Sequence, residues 1–330
     1  MSTATFSSIP WVAVQDDTST SNTGWYKHRV PYISEGTYLQ TLDIWIPATD
    51  STSKEPPSPD NIPSVPGTWV IYIHGGAWRD PLVDSSSFTA TAQNLLRQAS
   101  TSDVLPIAGI ASLNYNLSPH PHHPTHPAPP ADPSQSPDPA RMAKHPDHIA
   151  DVLAALAYLQ GNLGVAHDYL LSGHSCGATL AFEVVMDRAR LGLGEGTPVV
   201  ARPRVILGLN GLYDLPQFLH APDVSHEKLA ALYETFTRNA FGDEEALWEQ
   251  VCPGPVKDWK MEWPEAQKVV LVQSKQDTLV PYSQLEGMRE SLKTSTAEVT
   301  ELEAGGDHND LWKSGDRLAN IIETVLKDWK

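Results

Sequence analysis

Apolar and polar residues alternate along TYLQTLDIWI (37–46). That is the period-two pattern of a strand with one packed face and one wet face. With RVPYI ahead of Gly36, residues 29–46 read as two β-rich pieces. The pattern then changes. TWVIYI (68–73) is almost wholly apolar and β-prone, as expected of a strand covered on both sides. Further strands are predicted at 106–116, 168–175, 204–215, 268–277 and 298–305. Helical stretches fall between and after them, near 86–100 and over 145–164, 176–192, 283–293 and 316–329. Strands alternating with helices imply an α/β fold, with a mainly parallel sheet and helices on both faces. A chain of 330 residues fits one large domain of this kind.

Three segments interrupt the rhythm. Residues 49–67 are rich in Ser, Pro and Asp and read as a surface insertion. Residues 118–139, SPHPHHPTHPAPPADPSQSPDP, hold too many prolines for a helix or a central strand. Their histidines, His120, His122, His123 and His126, suggest a metal site. A proline-dense tract supplies no fixed coordination geometry, so a mobile polyproline-like loop with solvated histidines is expected, with no metal. Residues 216–265 contain SHEKLAALYETFTRNAFG and DEEALWEQ, which look like short helices. They lie between two core strands and read as a cap insertion able to roof a pocket.

Charge narrows the function. Forty acidic against 23 basic residues leave a net charge of −17. Such a surface repels phosphate, so nucleic acid and anionic membranes are not expected partners. No stretch reaches the roughly 18 apolar residues of a membrane span. The N-terminal MSTATFSSIPWVAVQDD has neither a basic nor an apolar signal region. Two cysteines, Cys176 and Cys252, favour a reducing compartment. A cytoplasmic protein is expected.

The candidate chemistry centres on LLSGHSCGATLAF (170–182), which holds G-x-S-x-G as Gly173-His174-Ser175-Cys176-Gly177. A strand before it and a helix after it are the context of a nucleophile elbow. Glycines two positions either side of the serine relieve backbone clashes in the tight turn. Ser175 is therefore the candidate nucleophile, and it needs a base to remove its proton. Acid and base follow the serine in this architecture, each after a late strand. Asp277 follows the apolar strand KVVLVQSK, and His308 sits in the glycine-rich AGGDHND after the last strand. Asp214 is the strongest rival acid. Asp307 and Asp310 flank His308 too closely to point at its Nδ1, and Asp243 and Asp258 fall in the cap segment. His174 points away at an elbow and is read as structural.

HGGAW (74–78) follows the 68–73 strand directly. Attack on a carbonyl creates an oxyanion that needs N–H donors already in place, each contributing about 3 kcal/mol. Glycines at 75 and 76 let the backbone come close. The candidate donors are the amides of Gly75, Gly76 and Cys176, the residue after the nucleophile. His74 is expected to anchor the loop. Trp78 either lines an aromatic substrate's pocket or wedges the loop in place.

HGGAWRDP (74–81) with SGHSCGATLAF (172–182) resembles the kynurenine formamidases of the α/β-hydrolase fold, the fungal ones above all. In that family H-G-G-x-W replaces the H-G-G-G of hormone-sensitive-lipase-like esterases. The resemblance runs from about residue 29 to the end, with 49–67 and 118–139 as insertions peculiar to this chain. It implies Ser175 as nucleophile, Asp277 as acid and His308 as base. It further implies cofactor-free hydrolysis of N-formyl-L-kynurenine to formate and L-kynurenine, in tryptophan breakdown toward NAD, by a homodimer. A broad carboxylesterase is the alternative within the fold. An inactive binding module would usually lack one of the three catalytic residues, and none is missing. Nothing in the pattern singles out residues for the substrate's amino-acid end; polar groups in the cap or near Asn114–Asn116 are open.

Overall fold

The computed structural model describes residues 5–15, 21–49, 55–58, 66–101, 107–221 and 223–329. Much of the predicted 49–67 insertion, namely 50–54 and 59–65, lies outside these residues, as does Pro106 of the predicted 106–116 strand.

The apolar runs form the centre of one sheet. Its described strands are β1 (Val12–Gln15), β2 (Asn22–Pro31), β3 (Thr41–Pro47), β4 (Thr68–Ile73), β5 (Ile107–Leu113), β6 (Tyr169–His174), β7 (Val205–Leu209), β8 (Lys268–Gln273) and β9 (Glu298–Glu303). Their spatial order is β1-β2-β3-β5-β4-β6-β7-β8-β9. The first three strands run antiparallel, β3 pairs antiparallel with β5, and β4 to β9 are parallel. Strands β5 to β8 bury every residue. Successive Cβ atoms point to opposite faces, so Ile71 and Ile73 join one core and Val70 and Tyr72 the other. Val269 and Leu271 divide from Val270 and Val272 in the same way. Each large side chain buried this way contributes about 1.5–3 kcal/mol. That is why these strands carry no polar alternation, while β9, at the edge, does.

Helices α1 (Thr89–Thr101) and α10 (Asp316–Asp328) cover one face; α2 (Asp147–Leu163), α3 (Cys176–Glu183) and α8 (Ser283–Ser291) cover the other. Between β7 and β8, residues 216–265 hold most of α4 (Leu215–His220) and all of α5 (Ala230–Phe241), α6 (Glu245–Val251) and α7 (Trp259–Glu262). A last short helix, α9 (Asp310–Lys313), follows β9. Among the described residues no helix is long and apolar enough to cross a membrane.

Three local expectations are corrected. The predicted helix 176–192 ends at Glu183. Val185 and Met186 donate three residues back, to Phe182 and Glu183 at 3.0 and 3.2 Å, and the β-branched Val184–Val185 pair leaves the helix to fill the core. Strand β1 was not predicted; its four residues are mostly exposed at the sheet edge and carry little apolar signal. The histidines of 118–139 are not all solvated: His123 is buried and His120 half-buried. A bridge between His120 and Ala128, with N–H donation both ways (2.6 and 3.1 Å), folds the tract back on itself.

Candidate active site

Parallel strands deliver their C-terminal ends to one edge, and each end there carries a polar residue. Ser175 leaves β6 with φ 56° and ψ −122°, a conformation L-residues rarely adopt. Its amide donates to Leu209 O at 2.8 Å, and its carbonyl accepts from Ala178 and Leu212. The turn works only between glycines. A Cβ on Gly173 would lie 2.0 Å from Gly177 O, and one on Gly177 would lie 2.3 Å from Ile73 O.

Asp277 and His308 meet although 31 residues separate them: Nδ1 of His308 lies 2.7 Å from Oδ2 of Asp277. The carboxylate is held by three further donors. Oδ1 accepts the amides of Leu279 (2.8 Å) and Val280 (2.9 Å), and Oδ2 accepts Nε2 of Gln273 at 3.2 Å. Both side chains are nearly fully buried. The base is fixed through its own backbone, since the carbonyl of His308 accepts His174 Nε2–H at 3.0 Å and Asn210 Nδ2–H at 2.9 Å. Burial and the nearby His308 hold His174 well below the usual histidine range, so it is a neutral donor. Asn210, unnoticed in the sequence, also accepts the amide of Ser274 through Oδ1 at 3.0 Å. One side chain thus ties the loop bearing Asp277 to the loop bearing His308. Its sequence signal was faint: an amide residue and a glycine ending an apolar strand.

The rival carboxylates are occupied elsewhere. Asp214 and Asp258 cap α4 and α7. Asp243 pairs with Arg238. Asp307 accepts the amide and hydroxyl of Thr278, and Asp310 accepts the amide of Asp307.

Ser175 and His308 line one cavity of about 250 Å³ together with Gly76, Ala77 and Arg79. Phe218, Leu232, Tyr233 and Phe236, from residues 216–265, line it too, as does His120 from the proline-rich tract. Gly76 (φ 96°), Ala77 (φ 50°) and Trp78 (φ 58°) turn in the left-handed region. Gly75 lies beneath the cavity wall, where a Cβ would sit 2.8 Å from His174 Nδ1 and 3.0 Å from the Ser175 Cβ. The amides of Gly76 and Cys176 have no backbone acceptor among the described residues. His74 stacks on Tyr115 at 4.4 Å and donates through Nδ1 to Gly75 O at 2.8 Å. Burial pushes it down to about 4, so it is neutral.

Trp78 does not line the cavity. It is fully buried, packed edge-on against Phe241 at 4.9 Å; of its two expected roles, the packing is that of a wedge. Its amide donates to Cys176 Sγ at 3.2 Å. Burial pushes the Cys176 thiol up to about 11, so it stays protonated at neutral pH and is a poor nucleophile.

The chain is similar to known proteins over most of its length. The chain is 35% identical over 90% of its length to a kynurenine formamidase-like hydrolase of Fusarium equiseti, covering 93% of that protein. It is 31% identical over 86% of its length to a kynurenine formamidase of Aspergillus versicolor, covering 94% of it. Among solved structures, a truncated carbohydrate esterase from gut microbiota superposes with a TM-score of 0.62 at 16% identity, covering 96% of this chain and 100% of that one. No family model matches the chain.

Proposed function

This chain belongs to the kynurenine formamidase family and has the α/β-hydrolase fold, and from that premise we propose that it hydrolyses N-formyl-L-kynurenine to formate and L-kynurenine through Ser175, His308 and Asp277. The observation that carries the reading is the 2.7 Å contact between buried Asp277 and His308, with His308 and Ser175 on one cavity wall.

Asp277 accepts the Nδ1 proton of His308 and leaves Nε2 free to take the proton of Ser175. The Oγ attacks the formyl carbon, and the resulting oxyanion receives N–H groups from the Gly75–Gly76 turn and from Cys176. His308 gives its proton to the aryl nitrogen, the C–N bond breaks, and L-kynurenine leaves a formyl-serine. A water that loses its proton to His308 then attacks the ester carbon, and formate leaves as the proton returns to Ser175. The formyl carbon carries only hydrogen, so the acyl side needs little room. The aromatic wall of Phe218, Tyr233 and Phe236 suits the aryl ketone on the other side.

The deciding experiment compares kcat/KM on N-formyl-L-kynurenine and on p-nitrophenyl acetate. A preference for the formamide is expected; a preference for the ester would make the protein a general carboxylesterase. Ser175→Ala should lower turnover of both about 10³-fold or more; substantial residual activity would discard the mechanism.

A further inference from the structure

Eleven arginines occur in the sequence, and ten of them donate to a carboxylate, a side-chain amide or a carbonyl: Arg29 to Asp84, Arg141 to His126 O and Arg204 to Asp168 are typical. Arg79 is the exception. No hydrogen bond or ion pair joins its guanidinium to any described residue, yet the residue is 5% exposed and lines the cavity shared by Ser175 and His308. A guanidinium carries five N–H donors in a planar fork and does not deprotonate. Removing it from water without an anion is expensive. The charge of neighbouring Asp80 offsets part of that cost, and an acceptor in the cavity would supply the missing hydrogen bonds.

The surroundings define that acceptor. The guanidinium carbon lies 5.9 Å from the centroid of Phe236, with the ring to one side. The Arg79 amide donates to Gly76 O at 3.0 Å, so the turn that shapes the oxyanion loop also fixes the base of the arginine. Asp80 is the nearest carboxylate in sequence and also lines the cavity. Its Oδ1 is turned to the amide of Leu82 at 2.9 Å and lies 3.7 Å from His123 Nε2. A protein of net charge −17 repels an anionic ligand at long range, so binding one needs a local cation facing the site.

We infer that Arg79 is the anchor for a substrate carboxylate, held through paired N–H···O bonds, and that the cavity therefore selects aryl amides carrying a carboxylate. This rests on the proposed function, for which it supplies the contact to the amino-acid end. Asp80 stands beside Arg79 with the charge that suits an α-ammonium, and the Phe236 ring lines the same cavity as Ser175 and His308. A planar carboxylate matches the guanidinium fork in geometry and in charge.

The test uses wild type, Arg79→Met and Arg79→Lys. Inhibition of p-nitrophenyl acetate hydrolysis is measured with L-kynurenine and with kynuramine, which lacks the carboxylate. Arg79→Met should raise the inhibition constant of L-kynurenine at least tenfold, about 1.4 kcal/mol, and that of kynuramine less than threefold. Arg79→Lys, which keeps the charge but not the fork, should fall between. On N-formyl-L-kynurenine the loss in Arg79→Met should appear mainly in KM. Equal effects on the two inhibitors, or no change with L-kynurenine, would overturn the inference, as would a wild type that L-kynurenine does not inhibit. Failure of the proposed function is a separate result: wild type inhibited by L-kynurenine but unable to turn over its N-formyl derivative.

Discussion

Replacing Asp277 with asparagine exchanges one oxygen for an NH2 and keeps the shape, so its effect can be worked out bond by bond. Oδ1 accepts two backbone amides, from Leu279 and Val280 at 2.8 and 2.9 Å. An NH2 placed there would leave both amides unpaired, at about 1–3 kcal/mol each. The amide oxygen therefore stays at that end, and the NH2 takes the place of Oδ2, 2.7 Å from His308 Nδ1. Facing a donor, Nδ1 must become the acceptor, and the ring proton moves to Nε2. His308 can then no longer accept the proton of Ser175. The same exchange in a Ser-His-Asp protease lowers kcat about 10⁴-fold with the geometry intact. A loss of 10³- to 10⁴-fold is expected here, roughly 4–5 kcal/mol of barrier. Gln273 Nε2, which donates to the same oxygen at 3.2 Å, would also face the NH2, so a stability loss of about 1–2 kcal/mol should accompany it. The assay is steady-state turnover of N-formyl-L-kynurenine, with chemical denaturation of the same samples. Asp214→Asn is the control, because asparagine caps a helix as well as aspartate does; it should change turnover less than twofold. The assignment fails if Asp277→Asn keeps more than a tenth of wild-type turnover, or if Asp214→Asn falls as far.

Glu183 is buried with no hydrogen-bond partner for either carboxylate oxygen among the described residues, and burial pushes it up to about 8 from 4.5. The folded state therefore holds this proton where the unfolded state has lost it, so stability is full below about pH 4.5 and declines as pH rises toward 8. Glu183→Gln should match wild type in acid and exceed it by at most about 3 kcal/mol at pH 7; denaturation midpoints against pH read the difference, and parallel curves would refute it. Gly177→Ala would place a methyl 2.3 Å from Ile73 O and 2.6 Å from His74 O, pushing the HGGAW loop off the elbow. It should cost about 3 kcal/mol or more and lower kcat, and a variant that melts with wild type would show that the contact relaxes freely. Trp78→Ala should destabilise by about 3–5 kcal/mol and lower kcat more than it raises KM; a change confined to KM would return Trp78 to the substrate pocket.

The core strands were legible in the sequence because β5 to β8 bury both faces, and double burial leaves apolar runs that nothing else in the chain imitates. The elbow was legible for a more local reason: Gly173 answers to the backbone of Gly177, four residues on, although Gly177 itself makes room for Ile73 and His74 on a neighbouring strand and loop. What lay hidden depends on contacts made across the fold. Asn210 is 98 residues from His308, and nothing around it in sequence marks it as the brace between acid and base loops. His120 and His123 sit among prolines, and the bridge to Ala128 that turns one toward the cavity follows from the folded tract alone. Arg79 is the plainest case. In sequence it is one of eleven arginines, and it becomes distinctive only when its guanidinium is found in the cavity with no hydrogen bond or ion pair to any described residue.

Trp78 shows why the oxyanion loop needs more than glycines. Ala77 and Trp78 both hold positive φ, at 50° and 58°, and L-residues lose about 1–2 kcal/mol each in that region. A loop facing a cavity has few contacts to offset two such residues. The indole supplies them: it is fully buried between Phe236 and Phe241, and truncating a tryptophan so placed costs about 3–5 kcal/mol, which covers the strain. Its carbonyl accepts the amide of Ser118 at 2.8 Å, and its own amide reaches Cys176 Sγ at 3.2 Å. The strained turn is thereby fastened to the proline-rich tract on one side and to the elbow on the other. Gly76 can face the cavity because the residue two positions later is driven into the core, so an effect of the tryptophan of HGGAW on turnover is expected to pass through the backbone of this turn.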